Sequence, residues 1–167
     1  GFSELFLRKI ETGGKPLIST VDKQAVEVKL PAQGIVGGTA FSKDGSKLAF
    51  SFSSSTQNGD VWVYDLRSKR LAQVTQSDQA GIDPKTFVAP ELIKFKSFDG
   101  REIPAWYYKP KGASDVKVAS KETQASKSVS VTKPPRAPVI VSVHGGPEGQ
   151  SRPGFNALFQ YYLSRGY

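Results

Sequence analysis

The sequence predicts two unlike halves, short antiparallel strands up to residue 76 and then the opening of an α/β domain from residue 90. Three observations predict it. Residues 35–76 break into four short apolar-alternating runs separated by turn residues. Residues 139–143, Val-Ile-Val-Ser-Val, run straight into His-Gly-Gly-Pro, as a buried parallel strand entering a glycine loop would. Residues 156–165 carry an apolar stripe at helical spacing with both ends marked.

The first run is Glu4 to Ile10, which aligns with Asp60 to Leu66 at an offset of 56 residues, and Lys15 to Ile18 resembles the strand after that. Between these copies lies the clearest unit. Ala40 to Ser51 reads as strand, Asp44-Gly45 turn, strand, the second strand alternating around Leu48 and Phe50. Asn58-Gly59 predicts a further turn, Asp60 to Leu66 a third strand and Arg70 to Thr75 a fourth. Four strands over about 40 residues is the size of one β-propeller blade. The 56-residue offset is long for a blade and implies an enlarged loop. Two imperfect copies do not close a ring, so further blades are expected upstream. A small β-sandwich or meander fits the same strand spacing.

Gln76 to Phe87 is polar, contains Asp83-Pro84 and reads as a linker. Leu92 to Ser97 and Glu102 to Tyr108 form a hairpin around Asp99-Gly100, a two-residue turn signal. Lys111 to Lys133 is rich in Ser, Lys and Val. The alternation at Val116/Val118 and Val129/Val131 allows two edge strands, but little apolar area offsets the ordering entropy, and a flexible insertion at 111–136 is the preferred reading.

The glycines of 144–147 let backbone approach a ligand. A strand feeding such a loop is how α/β-hydrolases supply one backbone N–H of an oxyanion hole. Asn156 is the expected N-cap of the helix that follows. Leu158, Phe159, Tyr162 and Leu163 form its stripe, Arg165 suits the negative end of its dipole, and Gly166 is the C′ residue. With Tyr167 beginning a next strand, the unit is βαβ. The fold class is therefore β-propeller blades followed by the N-terminal part of an α/β-hydrolase domain: 1–76 as C-terminal blades, 77–89 as linker, 90–167 as the start of the hydrolase domain.

Composition narrows the function classes. No apolar run reaches the 18 residues of a membrane span. The N-terminus shows neither a basic n-region nor an apolar h-region. The absence of Met and the ending in mid-element point to a piece of a longer protein. The reading favours the cytoplasm and leaves secretion or a periplasmic location open. Zero Cys removes disulfides, thiolate metal ligands and thiol catalysis. The net charge of +8 divides unevenly: residues 1–88 hold 11 basic and 9 acidic side chains, residues 89–167 hold 12 and 6. Six basics (Lys111, Lys117, Lys121, Lys127, Lys133, Arg136) fall in the loop-like 111–136 stretch against Asp115 and Glu122. That is a solvated loop rather than a basic face with interleaved aromatics, and neither nucleic acid nor membrane is expected as a partner.

A propeller-type repeat, a linker, the segment Pro90 to Gly100 with Ile103-Pro104-Ala105, and Val139 to Gly149, in that order, resemble the prolyl oligopeptidase family of serine peptidases. The likeness is nearest to its acylaminoacyl-peptidase and dipeptidyl-peptidase branches. Residues 151–167 continue it, and 111–136 is the main departure. The resemblance implies a serine-type peptidase acting on short peptides without a cofactor or metal, the remainder of the same protein being its other partner. On it, the Gly146 backbone N–H donates to the oxyanion, while His144, Gly145 and Pro147 shape the loop. His144 is the sole histidine, and the catalytic histidine of such a site must follow the nucleophile in the chain. No G-x-S-x-G occurs, so no triad member is present and the 167 residues alone are expected to be inactive. Glu148 and Arg152 are read as solvated, with the substrate mouth as their other possible place. The alternative readings are that the glycines merely make a tight strand-to-helix turn, and that the chain is a non-catalytic propeller-type binding module with a relic hydrolase segment.

Overall fold

A computed structural model describes residues 1–9, 25–112, 138–146 and 148–167. The repeat at Lys15 to Ile18, nearly all of the 111–136 insertion, and Pro147 lie outside the described residues. The rest is small antiparallel sheets with one short helix.

The largest sheet is the one that the turn residues mark out. β3 (Ile35–Phe41), β4 (Lys47–Ser54), β5 (Gln57–Asp65) and β6 (Arg70–Gln73) pair in chain order, each antiparallel to the next. It is preceded by a short ribbon of β1 (Phe6–Leu7) and β2 (Val26–Glu27). β4 alternates strictly: Leu48, Phe50 and Phe52 point to one face and are almost wholly buried. On that face Tyr64 sits opposite Leu48 and Trp62 opposite Phe50. The Trp62 ring meets Phe52 edge-on at 6.3 Å. Val28, just after β2, closes the cluster from above, with Leu5, Leu7 and Leu30 packed around it. The ribbon thus lies over the sheet, and this contact is the hydrophobic core.

Side-chain oxygens shape the turns. Asp44 accepts from the Ser42 hydroxyl (2.6 Å), the Ser46 hydroxyl (2.9 Å) and the Ser46 N–H (3.1 Å), while Gly45 takes φ +68. These donors, the Ser42 hydroxyl foremost, lower the Asp44 pKa to about 2. Asp65 plays the same part after β5. Lys47 at 2.7 Å and the Ser68 N–H and hydroxyl hold its carboxyl well below the usual range. Both folded-state values lie below the ordinary value of about 3.9, so protons bind the unfolded chain more readily. The stabilisation from these turns is therefore complete above about pH 4 and is lost as pH falls through about 2 for Asp44. Protection of the 43–46 amides, taken relative to the intrinsic exchange rate at each pH from 5 to 2, should fall over that window in the native chain and stay level in Asp44→Asn.

Two turns depart from expectation. The β4–β5 connection is Ser55-Thr56, not Asn58-Gly59, which lie inside β5. The Ser54 hydroxyl accepts the Thr56 N–H at 3.3 Å, and an irregularity between Phe52 and Ser54 lets the chain reverse earlier. The hairpin of β7 (Glu91–Lys96) and β8 (Glu102–Tyr107) has the expected strands. Its loop is three residues rather than two: the Ser97 N–H donates to Arg101 O and Gly100 takes φ +81.

The linker contains one 3₁₀ turn, Pro84–Thr86, capped by Asp83. The helix α1 (Ala157–Ser164) begins where expected, with Asn156 Oδ1 accepting the Phe159 N–H at 3.1 Å and Gly166 at φ +85 beyond its end. Arg165 stacks on the Tyr161 ring, 5.5 Å from its centroid. Its buried stripe is shifted, since Leu163 and Gln160 are buried whereas Leu158 is 54% exposed. A polar residue occupies the helix's inner face because it has backbone partners there.

The run 139–143 is a correction. It forms no strand, and Val139, Val141 and Val143 are 80–82% exposed. A parallel strand needs hydrogen-bonding neighbours, and among the described residues no strand pairs with it, so the expected βαβ unit is not formed there.

Candidate functional site

The glycine loop follows that extended run. His144, Gly145 and Gly146 are exposed. Gly146 takes φ +75, a left-handed backbone that a residue with a Cβ enters only with strain, and the space around its Cα is open. The His144 imidazole lies against the loop's own backbone, Nδ1 being 3.3 Å from Gly145 O. Gly149 returns close to Gly145, where a Cβ would come within 2.8 Å of the carbonyl oxygen.

Downstream of Gly149 the chain is firmly tied. Ser151 O accepts the Trp106 indole N–H at 3.1 Å, and the Trp106 ring meets Phe2 edge-on at 5.4 Å. Arg152 donates to Ser3 Oγ (3.0 Å) and Gly1 O (3.4 Å), and Ser3 Oγ in turn accepts the Val36 N–H of β3. Arg152 is exposed, as expected, and also ties the loop to the N-terminal segment. Pro153 is buried, Gly154 lies against Ile35 and Ser53, and Phe155 meets Phe87 at 5.2 Å.

Gln160 completes the attachment. Its Oε1 accepts the Val88 N–H (2.9 Å), and its Nε2 donates to Val88 O and Ser55 O (2.9 Å each). One amide side chain therefore holds the helix, the linker and the β4–β5 turn together, with its hydrogen-bonding capacity well used. Tyr108 packs on Phe159 at 5.7 Å, and burial pushes its hydroxyl pKa up. The sequence reading missed Gln160 and the tie made by Arg152. The legible signal for Gln160 was an amide between Phe159 and Tyr161 in an otherwise apolar helix.

Asp60 was also missed as a focus. It is buried at the start of the third predicted strand and accepts from Thr75 Oγ1 (2.9 Å), Ser77 N (2.8 Å), Ser77 Oγ (3.1 Å) and Gln73 Nε2 (3.1 Å). With its lone pairs so occupied, it fastens the end of β6 and serves as an architectural carboxylate.

Among the described residues two hollows open away from the glycine loop. One, about 570 Å³, lies between Phe2–Leu5 and Glu27–Leu30. The other, about 670 Å³, lies between Asp60, Gln73 and the linker residues Gln76 to Gln79. Among the described residues no group of three or more His, Asp or Glu could hold a metal ion, and no helix is long and apolar enough to cross a membrane.

No family model matches the chain, and no curated protein matches it. Among solved structures it is similar to a puromycin hydrolase mutant complexed with PGG, at 24% identity and a TM-score of 0.42. The similarity covers 52% of this chain and only 13% of the hydrolase's length. A likeness at that level assigns neither fold nor activity.

Proposed function

We propose that this chain is a central slice of a serine-type peptidase of the prolyl oligopeptidase type. Residues 1–76 are the last blades of its propeller, 77–89 the linker and 90–167 the start of its peptidase domain. The observation that carries the reading is the His144-Gly145-Gly146-Pro147 motif following a four-stranded meander, with Gly146 in a left-handed backbone and open space beside it. In this reading a serine elsewhere in the parent attacks the carbonyl of a short peptide, and the Gly146 N–H donates to the developing oxyanion. A preorganised donor of that kind contributes roughly 3–4 kcal/mol to the transition state. The propeller gates access, and the substrate is a short peptide.

The test is a denaturing intact mass of the native material after treatment with a fluorophosphonate probe. A species far above 18.1 kDa, or a co-purifying second polypeptide, carrying the adduct is the expected result. An unlabelled lone chain of 18.1 kDa would overturn the reading in favour of a non-catalytic binding module with a relic hydrolase segment.

A further inference from the structure

We infer that Gly149 is a positioning residue for the Gly146 N–H, an inference that rests on the oxyanion reading above and adds the element that aims the donor. The Gly145 carbonyl and the Gly146 N–H are two ends of one peptide unit. That unit is planar and trans, so whatever fixes the direction of the carbonyl fixes the opposite direction of the N–H.

Two groups bear on this carbonyl. His144 Nδ1 lies 3.3 Å from the oxygen. The carbonyl oxygen only accepts, so this contact is a hydrogen bond in the tautomer that carries its proton on Nδ1. Gly149 closes in as well: a Cβ built on it would stand 2.8 Å from Gly145 O and 3.2 Å from His144 Nδ1. Only a residue without a Cβ fits there. Its backbone is not in the left-handed region, so glycine is demanded at 149 by space, whereas at 146, with nothing nearby and φ +75, it is demanded by the dihedral. The two glycines answer different constraints of one loop.

Gly149 also stands where the loop meets its support. Two residues on, Ser151 O is held by Trp106, and Arg152 is held by Ser3 and Gly1. Upstream, 139–143 has no ladder among the described residues. The peptide carrying the candidate donor is thus set from its downstream side. A methyl group at 149 must push the Gly145 carbonyl, and the Gly146 N–H swings with it.

The experiment is NMR on the isotopically labelled 167-residue chain and its Gly149→Ala variant. His144 is the sole histidine, so its imidazole gives one set of resonances. The expected result is a shift of the Gly146 amide and of His144 Nδ1 as the peptide between residues 145 and 146 turns. Amides of β4 and β5 should be unmoved. Unchanged Gly146 and His144 signals, or changes spread equally through β4 and β5, would overturn the inference.

A second pair of variants tests the same peptide without altering Gly149. His144→Asn retains a donor near the Nδ1 position and should keep the Gly146 amide in place, whereas His144→Gln should move it. Equal behaviour of the two would count against the arrangement. The fluorophosphonate result is independent: labelling fails if the peptidase reading is wrong, while the coupling from Gly149 to Gly146 would still be seen in these spectra.

Discussion

Phe50→Ala is expected to lower the free energy of unfolding by about 3–5 kcal/mol, the cost of emptying an aromatic site in a close-packed core. Phe50 is 1% exposed, stands opposite Trp62 and shares its cluster with Val28, Leu48, Phe52 and Tyr64. The core is small, and these few side chains join the β1–β2 ribbon to the four-stranded sheet. A loss of that size is a large fraction of the 5–15 kcal/mol typical of a domain. Guanidinium unfolding followed by tryptophan fluorescence should show a lower midpoint with little change in slope. A loss under about 1 kcal/mol would mean that the ribbon and sheet do not share this core.

The second large effect comes from a residue with no side chain. A Cβ on Gly34 would lie 2.3 Å from Ser53 O and 2.5 Å from Phe52 Cζ. The first of these is backbone of β4, which cannot swing aside. Gly34 O also accepts the Ser3 N–H, so the position is held from both sides. Gly34→Ala is expected to destabilise by about 3 kcal/mol, the upper end for overpacking, because β3 must separate from β4 or Phe52 must leave its place. Gly45→Ala is the control. There the space is open and only the φ of +68 opposes a side chain, so the loss should be about 1 kcal/mol. Similar losses in thermal melts of the two variants would show that close approach at Gly34 is not what limits it.

What the sequence made legible is local. Alternation around Leu48 and Phe50, Asp-Gly turns, and an Asn cap with a C′ glycine each depend on residues within a few positions of one another, and the strands, two hairpins and helix ends follow them. The Asn58-Gly59 turn was misplaced by a few residues because Ser54 offered its own hydroxyl to the reversal first. Val139 to Val143 carries the composition of a buried strand, but composition specifies that a strand wants neighbours without supplying them. In the candidate site the glycine motif was readable, since Gly146 needs its dihedral locally. Gly149's close approach, the Arg152 tie to Ser3 and the three bonds of Gln160 were not readable. They depend on which backbone atoms tertiary folding brings near, and no periodicity records that.

The Gln160 clamp has a kinetic consequence. Its bond to Ser55 O joins positions 105 apart in sequence, whereas the Ser51–Gly37 contact within the sheet spans 14. Loop-closure entropy grows with the logarithm of length, so the longer closure costs about 2 kcal/mol more before any contact is formed. Turn-by-turn zipping of β3 through β6 precedes it on entropic grounds, and the Ser55 carbonyl that Gln160 seeks is positioned only once the β4–β5 reversal exists. The helix therefore docks onto a finished template, late in the order of assembly.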